Sequence, residues 1–287
     1  MQIQVKNLTH IYSEGTPYES AALSDVSFEV EKGEFVGIIG HTGSGKSTLI
    51  QHLNGLLKPK SGSILIDGLD ITGKNVKMRD IRRRIGLVFQ YPEYQLFEET
   101  VHKDVAFGPL NLGLAQEEAD ARVVEAIGLV GLDYSEIFDR SPFELSGGQR
   151  RRVAIAGVIA MKPEILILDE PTAGLDPKAH ADILHMVETI HSAQQNSILL
   201  VSHNMGDIAR LSDKILVMER GKLVLTGSPS EVFRQADLLE SLGLGLPPSA
   251  GLMRELQNKG VPVSADILTV DAAEEELYRI LTEQKNN

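Results

Sequence analysis

The sequence predicts an α/β fold. Three features carry that reading: short apolar runs of strand type at residues 35–39, 85–89, 165–168 and 197–201, helical stretches between them, and a glycine-rich turn joining the first run to a helix. An apolar run of this length, bounded by turn signals, reads as a strand covered on both faces, as parallel strands flanked by helices are. The chain of 287 residues is long enough for one large domain or two modest ones with a well-buried core.

In chain order, Ile3, Val5 and Leu8 form an interrupted alternation, and Val26, Phe28 and Val30 a second one, across a polar loop at 13–20. These are two early strands. Tyr12 and Tyr18 lie between them, and either ring could stack on a base. Spacing alone does not separate them, and simple packing is the competing reading.

After the run Phe35, Val36, Gly37, Ile38 and Ile39 come Gly40, His41, Thr42, Gly43, Ser44, Gly45, Lys46 and Ser47, with Thr48 opening a helical run to Asn54. Strand, loop and helix in this order match a P-loop, whose backbone N–H groups wrap nucleotide phosphates at a helix N-terminus. Glycines let the backbone close on phosphate oxygens. Lys46 is expected on the β- and γ-phosphates, and the Ser47 hydroxyl in a Mg²⁺ shell. This motif alone says nucleotide and little more.

Residues 58–62 read as a turn, 63–66 as a strand and Asp67-Gly68 as a hairpin turn. Arg79, Arg82, Arg83 and Arg84 make a basic cluster, read as a solvated helix face. The strand at 85–89 delivers Gln90 at its end, where open parallel sheets place ligand-contacting side chains. From 91 to 161 the period becomes helical, with Val123, Ile127 and Val130 on one face of a helix beginning near Gln116, so an inserted helical subdomain is expected. Leu145, Ser146, Gly147, Gly148 and Gln149 open another helix. Ser146 is a candidate N-cap, and the end is a second candidate anion site, an ordinary cap being the alternative.

The run at 165–168 ends in Asp169 and Glu170, whose side chains point opposite ways on an extended segment. Asp169 suits a Mg²⁺ shell and Glu170 can polarise a water. Ala173, Gly174, Leu175, Asp176 and Pro177 turn into a helix reaching about Gln195. His203 follows the strand at 197–201, and strands at 214–218 and 222–226 form a hairpin. Beyond Gly227 the reading is helical over 230–242 and 272–284, with a linker at 243–251. This acidic, amphipathic tail is either a cover for the core or a dimerisation or regulatory appendage.

Composition narrows the partners. A net charge of −12 argues against a nucleic-acid-binding surface. Without cysteine there are no disulfides, which fits the cytosol. No signal peptide is seen at the start, and no apolar run approaches the roughly 18 residues that span a bilayer, so membrane association is expected to be peripheral.

Over residues 1–227 the chain resembles the nucleotide-binding subunits of ATP-binding cassette (ABC) transporters. The shared features are the P-loop from Gly40 to Ser47, Gln90, the signature at 145–149, the Asp169–Glu170 pair, the Gly174-Leu175-Asp176 turn and His203. The signature is the specific one, since many NTPases have P-loops. More narrowly, Gln90, Tyr91, Pro92, Glu93, Tyr94, Gln95, Leu96 and Phe97, with 150–157 and a C-terminal appendage, resemble the ATPases of energy-coupling factor (ECF) transporters, which import vitamins and some metal ions. The stretch 94–100 is closer to the second of two paralogous ATPases.

The resemblance implies a P-loop NTPase (RecA-like) core with N-terminal antiparallel β strands, a helical subdomain inserted at about 91–161 and a small, mainly helical appendage at 228–287. It implies ATP and Mg²⁺ as cofactors and ATP hydrolysis coupled to transport. Tyr12 would be the adenine platform, residues Gly40 to Thr48 the phosphate cradle, and Ser47, Gln90 and Asp169 the metal shell. Glu170 would be the general base beside Gln90 and His203. Ser146, Gly147, Gly148 and Gln149 would act in trans on nucleotide held by the other ATPase, and Asp176 would also face nucleotide.

The implied partners are a second ATPase, copy or paralogue, a transmembrane coupling protein and a membrane substrate-binding subunit, at the cytoplasmic face of the cell membrane. Aromatic Tyr91, Tyr94 and Phe97 suit a groove for helices of that partner, with subdomain core packing taking at least one of them. The other classes are a soluble ABC ATPase of DNA repair or translation and a non-hydrolysing P-loop regulator. The former usually carries a long coiled coil or two cassettes in one chain, and intact Glu170 and His203 count against the latter.

Overall fold

The computed structural model describes residues 1–73, 76–264 and 266–285. Its strands are β1 (Ile3–Tyr12), β2 (Ser20–Val30), β3 (Phe35–Ile39), β4 (Ser61–Ile66), β5 (Leu69–Asp70), β6 (Ile85–Val88), β7 (Ile165–Asp169), β8 (Ser197–Val201), β9 (Lys214–Glu219) and β10 (Lys222–Gly227). They form an antiparallel sheet ordered β2-β1-β4-β5 and a six-stranded sheet ordered β10-β9-β3-β8-β7-β6. In the larger sheet every pairing is parallel except the β9–β10 hairpin. The α/β class expected from the apolar runs is the one observed.

Every residue of β3, β7 and β8 is buried, as strands covered on both faces must be. Their alternate side chains feed two different cores. Val36, Ile38, Ile165 and Ile167 pack toward the antiparallel sheet with Ile3, Phe28 and Leu49. Phe35, Ile39, Leu166 and Leu168 pack on the other side with Ile183, Val187 and Ile208. The period of two thus joins both layers through one sheet.

The helices are α1 (Lys46–Leu53), α2 (Met78–Arg84), α3 (Val101–Asn111), α4 (Gln116–Leu129), α5 (Tyr134–Ile137), α6 (Gly147–Ile159), α7 (Pro177–Gln194), α8 (Met205–Leu211), α9 (Pro229–Phe233), α10 (Ala236–Ser241), α11 (Pro248–Asn258) and α12 (Val270–Lys285). Helices α3 to α6 lie between β6 and β7 in the chain. They bury Val105, Val123, Ile127, Val153 and Ile159 together.

Two expectations change. The helix expected over 230–242 is two short helices, because Gln235 leaves helical geometry (φ −88°, ψ 48°). The linker at 243–251 ends inside a helix: α11 starts at Pro248, a residue that helices accept in their first turn. The basic cluster is a solvated helix face, as expected: Arg79, Arg82 and Arg83 are exposed, and half-buried Arg84 pairs with Glu164 (2.8 Å) and Asp67. In the tail, Val232, Phe233, Leu239 and Leu244 join the main core. Met253, Val263, Ile267, Ala273 and Ile280 build a small core of their own.

Candidate active site

Strand register decides where the chemistry can sit. Asp169 pairs with Val201 and Ile39 with Val217, so β3, β7, β8 and β9 end together. The loop 40–45, the Asp169–Glu170 pair and His203 therefore meet at one sheet edge, the usual ligand side of such sheets.

The glycine loop is wedged. A Cβ on Gly40 would lie 2.3 Å from the carbonyl oxygen of Met218, and one on Gly45, at φ 101°, 2.7 Å from that of Ala22. Lys46, the first residue of α1, is buried and donates to the carbonyls of Gly40 (2.6 Å) and His41 (2.9 Å). Burial lowers its pKa, against the opposing pull of Glu170 and Asp169. His41 places Nε2 2.6 Å from Glu219.

A cavity of about 500 Å³ opens over this loop. Its lining includes Tyr12, Thr42, Gly43, Gly45, Lys46, Ser47, Thr48, Gln90, Asp169 and Glu170. Gly40 and Ser44 are buried and His41 is exposed, and none of the three is in the lining. Tyr12 is 40% exposed and its hydroxyl lies 3.3 Å from that of Thr48, whereas Tyr18 is 85% exposed and does not line the cavity. The structure thus separates two residues that sequence spacing left equal.

The Ser47 hydroxyl donates to Asp169 Oδ2 (3.3 Å). Burial pushes the Asp169 carboxyl up, with the Glu170 charge adding to it and the Ser47 bond opposing. A buried carboxylate beside a hydroxyl is an all-oxygen donor set on which a cation is welcome, so these residues fit Mg²⁺. Among the described residues no cluster of three or more His, Cys, Asp or Glu could hold a metal alone.

Glu170 adopts left-handed geometry (φ 48°). Its Oε2 lies 3.3 Å from His203 Nδ1 and accepts from Gln90 Nε2, also at 3.3 Å. Gln90 and Glu170 also line a second cavity of about 670 Å³, with Tyr91, Gly174, His203 and, from the tail, Gly245, Leu246 and Pro248.

The signature stands elsewhere. Ser146 and Gln149 form a capping box: the Ser146 hydroxyl accepts from Gln149 N (3.3 Å) and Gln149 Oε1 accepts from Ser146 N (3.0 Å). A Cβ on Gly147 or Gly148 would meet nothing within 4 Å. None of residues 146–149 lines the P-loop cavity. Asp176 is also absent from it. It caps α7, accepting from Lys178 N and Ala179 N, both at 3.0 Å.

The aromatic trio divides. Phe97 lines a groove of about 630 Å³ with Leu56, Leu87, Phe107 and Leu112, and meets Phe107 edge-on at 4.9 Å. Tyr91 and Tyr94 do not line it, and none of the three is buried, so the expectation that core packing takes one fails. Two polar residues were not legible beforehand: buried Arg151 and its half-buried partner Glu93. The run Arg150-Arg151-Arg152 gives no sign of which one turns inward.

Fold and site together define the class as an ATP-binding cassette. Residues 23–173 match the model of a family described as ABC transporter. An energy-coupling factor transporter ATP-binding protein EcfA2 of Caldanaerobacter subterraneus subsp. tengcongensis is 60% identical over 286 residues, covering 100% of both chains. One of the same name from Clostridium tetani is 57% identical over 287 residues, again covering 100% of both. Among solved structures, CbiO1 of Clostridium perfringens, described as part of the ABC transporter complex CbiONQ, has 38% identity and a TM-score of 0.74, covering 88% of this chain and 98% of that one. The cassette MJ0796, dimeric and bound to ADP and Pi, has 28% identity and a TM-score of 0.69, with 79% and 98% covered. The chain belongs to the ABC transporter family, in its branch of energy-coupling factor ATP-binding proteins.

Proposed function

We propose that this chain hydrolyses ATP as an energy-coupling subunit of an ECF-type importer for a vitamin or metal ion, working as one of two facing ATPases. One observation carries the reading: the P-loop cavity and the signature helix end are both well formed on this chain, yet they do not meet. A second ATPase that presents its own helix end completes the cavity. The dimeric description of the MJ0796 cassette supports this arrangement.

The chain's residues then divide the work. Tyr12 stacks on adenine. The backbone of the 40–45 loop and Lys46 hold the phosphates, with Thr48 at the helix start. Ser47, Asp169 and Gln90 would hold Mg²⁺, which would offset the charge that develops on the phosphate. Glu170 takes a proton from water as the water oxygen bonds to the γ-phosphorus and the bond to the bridging oxygen breaks, releasing ADP and phosphate. His203 and Gln90 hold the Glu170 carboxylate, and His203 reaches the γ-phosphate. The partner's Ser146, Gly147, Gly148 and Gln149 counterparts supply further donors, so nucleotide closes the pair and hydrolysis opens it. Asp176 shapes the turn into α7 at the same edge.

The second ATPase is a copy or a paralogue; the EcfA2 names of the relatives favour a paralogue. The Phe97 groove receives helices of the transmembrane coupling protein, which joins a membrane substrate-binding subunit. Among the described residues no helix is long and apolar enough to cross a membrane, which fits peripheral attachment at the cytoplasmic face. Glu170→Gln tests the reading: in the reconstituted complex ATP binding persists and turnover falls by at least about 100-fold, as general-base losses do. Turnover at the parent rate would remove Glu170 from that role.

A further inference from the structure

Arg151 lies on α6, five residues past Ser146, and is only 3% exposed. Its guanidinium makes four hydrogen bonds. On one side it forks onto Glu93, Nε to Oε2 at 2.9 Å and Nη2 to Oε1 at 2.7 Å. On the other, Nη1 donates to the carbonyls of Pro171 (3.2 Å) and Ala173 (2.8 Å). Burial pushes the Glu93 carboxyl up, yet the Arg151 bonds, with help from its own amide and nearby arginine charge, hold it below the usual range.

Each anchor lies just after a backbone strained in the same way. Tyr91, next to Gln90, has φ 56°, and Glu170 has φ 48°. Left-handed geometry in residues other than glycine persists where the surroundings over-determine it. Glu93 follows Tyr91 by two residues, Pro171 and Ala173 follow Glu170, and the Arg151 guanidinium also stands 5.7 Å from the Tyr91 ring. Arg151 lines neither catalytic cavity and touches none of the reacting atoms.

We propose that Arg151 is a positioning residue for hydrolysis: with Glu93 it fixes the bends that aim Gln90 and Glu170, and it ties both to the helix that carries Ser146. This rests on Glu170 being the base. A planar five-donor fork is required, because a lysine ammonium cannot span the carboxylate and two carbonyls together. The groove residues Gln95 and Phe97 follow Glu93 in the chain, so the same clamp links whatever fills that groove to the helix end used by the partner.

The test is ATP titration of hydrolysis by the assembled complex carrying Arg151→Lys, Glu93→Gln or both, with thermal melts to normalise for folded protein. The expected result is a kcat at least ten-fold lower in each, KM for ATP within two-fold of the parent, and a double variant no worse than the poorer single. A pair that merely stabilises the fold would move the melting temperature and leave kcat per folded molecule alone. Should Arg151→Lys not fold, Glu93→Gln, which leaves both carbonyl bonds in place, decides. Parental kcat in Glu93→Gln, or additive losses in the double variant, would overturn the proposal. Glu170→Gln runs beside them: if it keeps turnover while Arg151→Lys loses it, the base assignment has failed and this proposal falls with it; if it loses turnover while Arg151→Lys keeps it, only this proposal falls.

Discussion

Asp169 and Lys46 are buried charges of opposite sign held for a purpose other than stability. The raised carboxyl of Asp169 has a definite sign in pH. Below the ordinary aspartate range it is protonated in both states and costs nothing. As pH rises the unfolded chain loses the proton first, so the native state loses stability until the folded pKa is passed. Asp169→Asn should therefore melt above the parent at neutral pH without Mg²⁺. The gain should vanish below the aspartate range, and Mg²⁺-dependent turnover should be lost. A variant that melts lower than the parent at every pH would contradict this. Gly40→Ala is the opposite case: its Cβ would meet a backbone carbonyl at 2.3 Å, so nucleotide binding should be lost and Tm lowered, as calorimetry would show.

The P-loop residues were legible because their spacing is a physical requirement of wrapping phosphate. Tyr12 was legible only as one of two, for what favours it over Tyr18 is the neighbouring wall of the cavity, a tertiary fact. Arg151 was not legible at all, since burial of one arginine among three depends on acceptors 58 and 20 or more residues away.

Among the elements, the fully buried strands announced themselves through unbroken apolar runs, and their order along the chain fixed the class. The tail did not. Phe233 and Leu239 stand six residues apart, about 120° from each other round an ideal helix, at the two margins of a single apolar face. Both reach the core with a break at Gln235 between them, and no local residue type signals it. Ser228 supports the first of the two helices through a capping box with Glu231. Ser228→Ala should cost about 1 kcal/mol by the usual scale of N-caps. Urea unfolding checks it, and an unchanged midpoint would show that α9 is held by Val232 and Phe233 alone.

As proposed, the nucleotide site is assembled from two chains. The described chain has a cavity lined by Lys46, Ser47, Gln90, Asp169 and Glu170 at one sheet edge, and an exposed, well-capped helix end apart from it. The tail reaches the same edge through Gly245, Leu246 and Pro248. The most direct measurement uses a pair of distinguishable ATPases in the reconstituted complex, with Ser146→Arg in this chain alone, and reads nucleotide trapping and hydrolysis at each P-loop separately. Loss at the P-loop of the partner, with this chain's own P-loop still trapping nucleotide, is the predicted result. Loss confined to this chain's own P-loop would contradict the shared site.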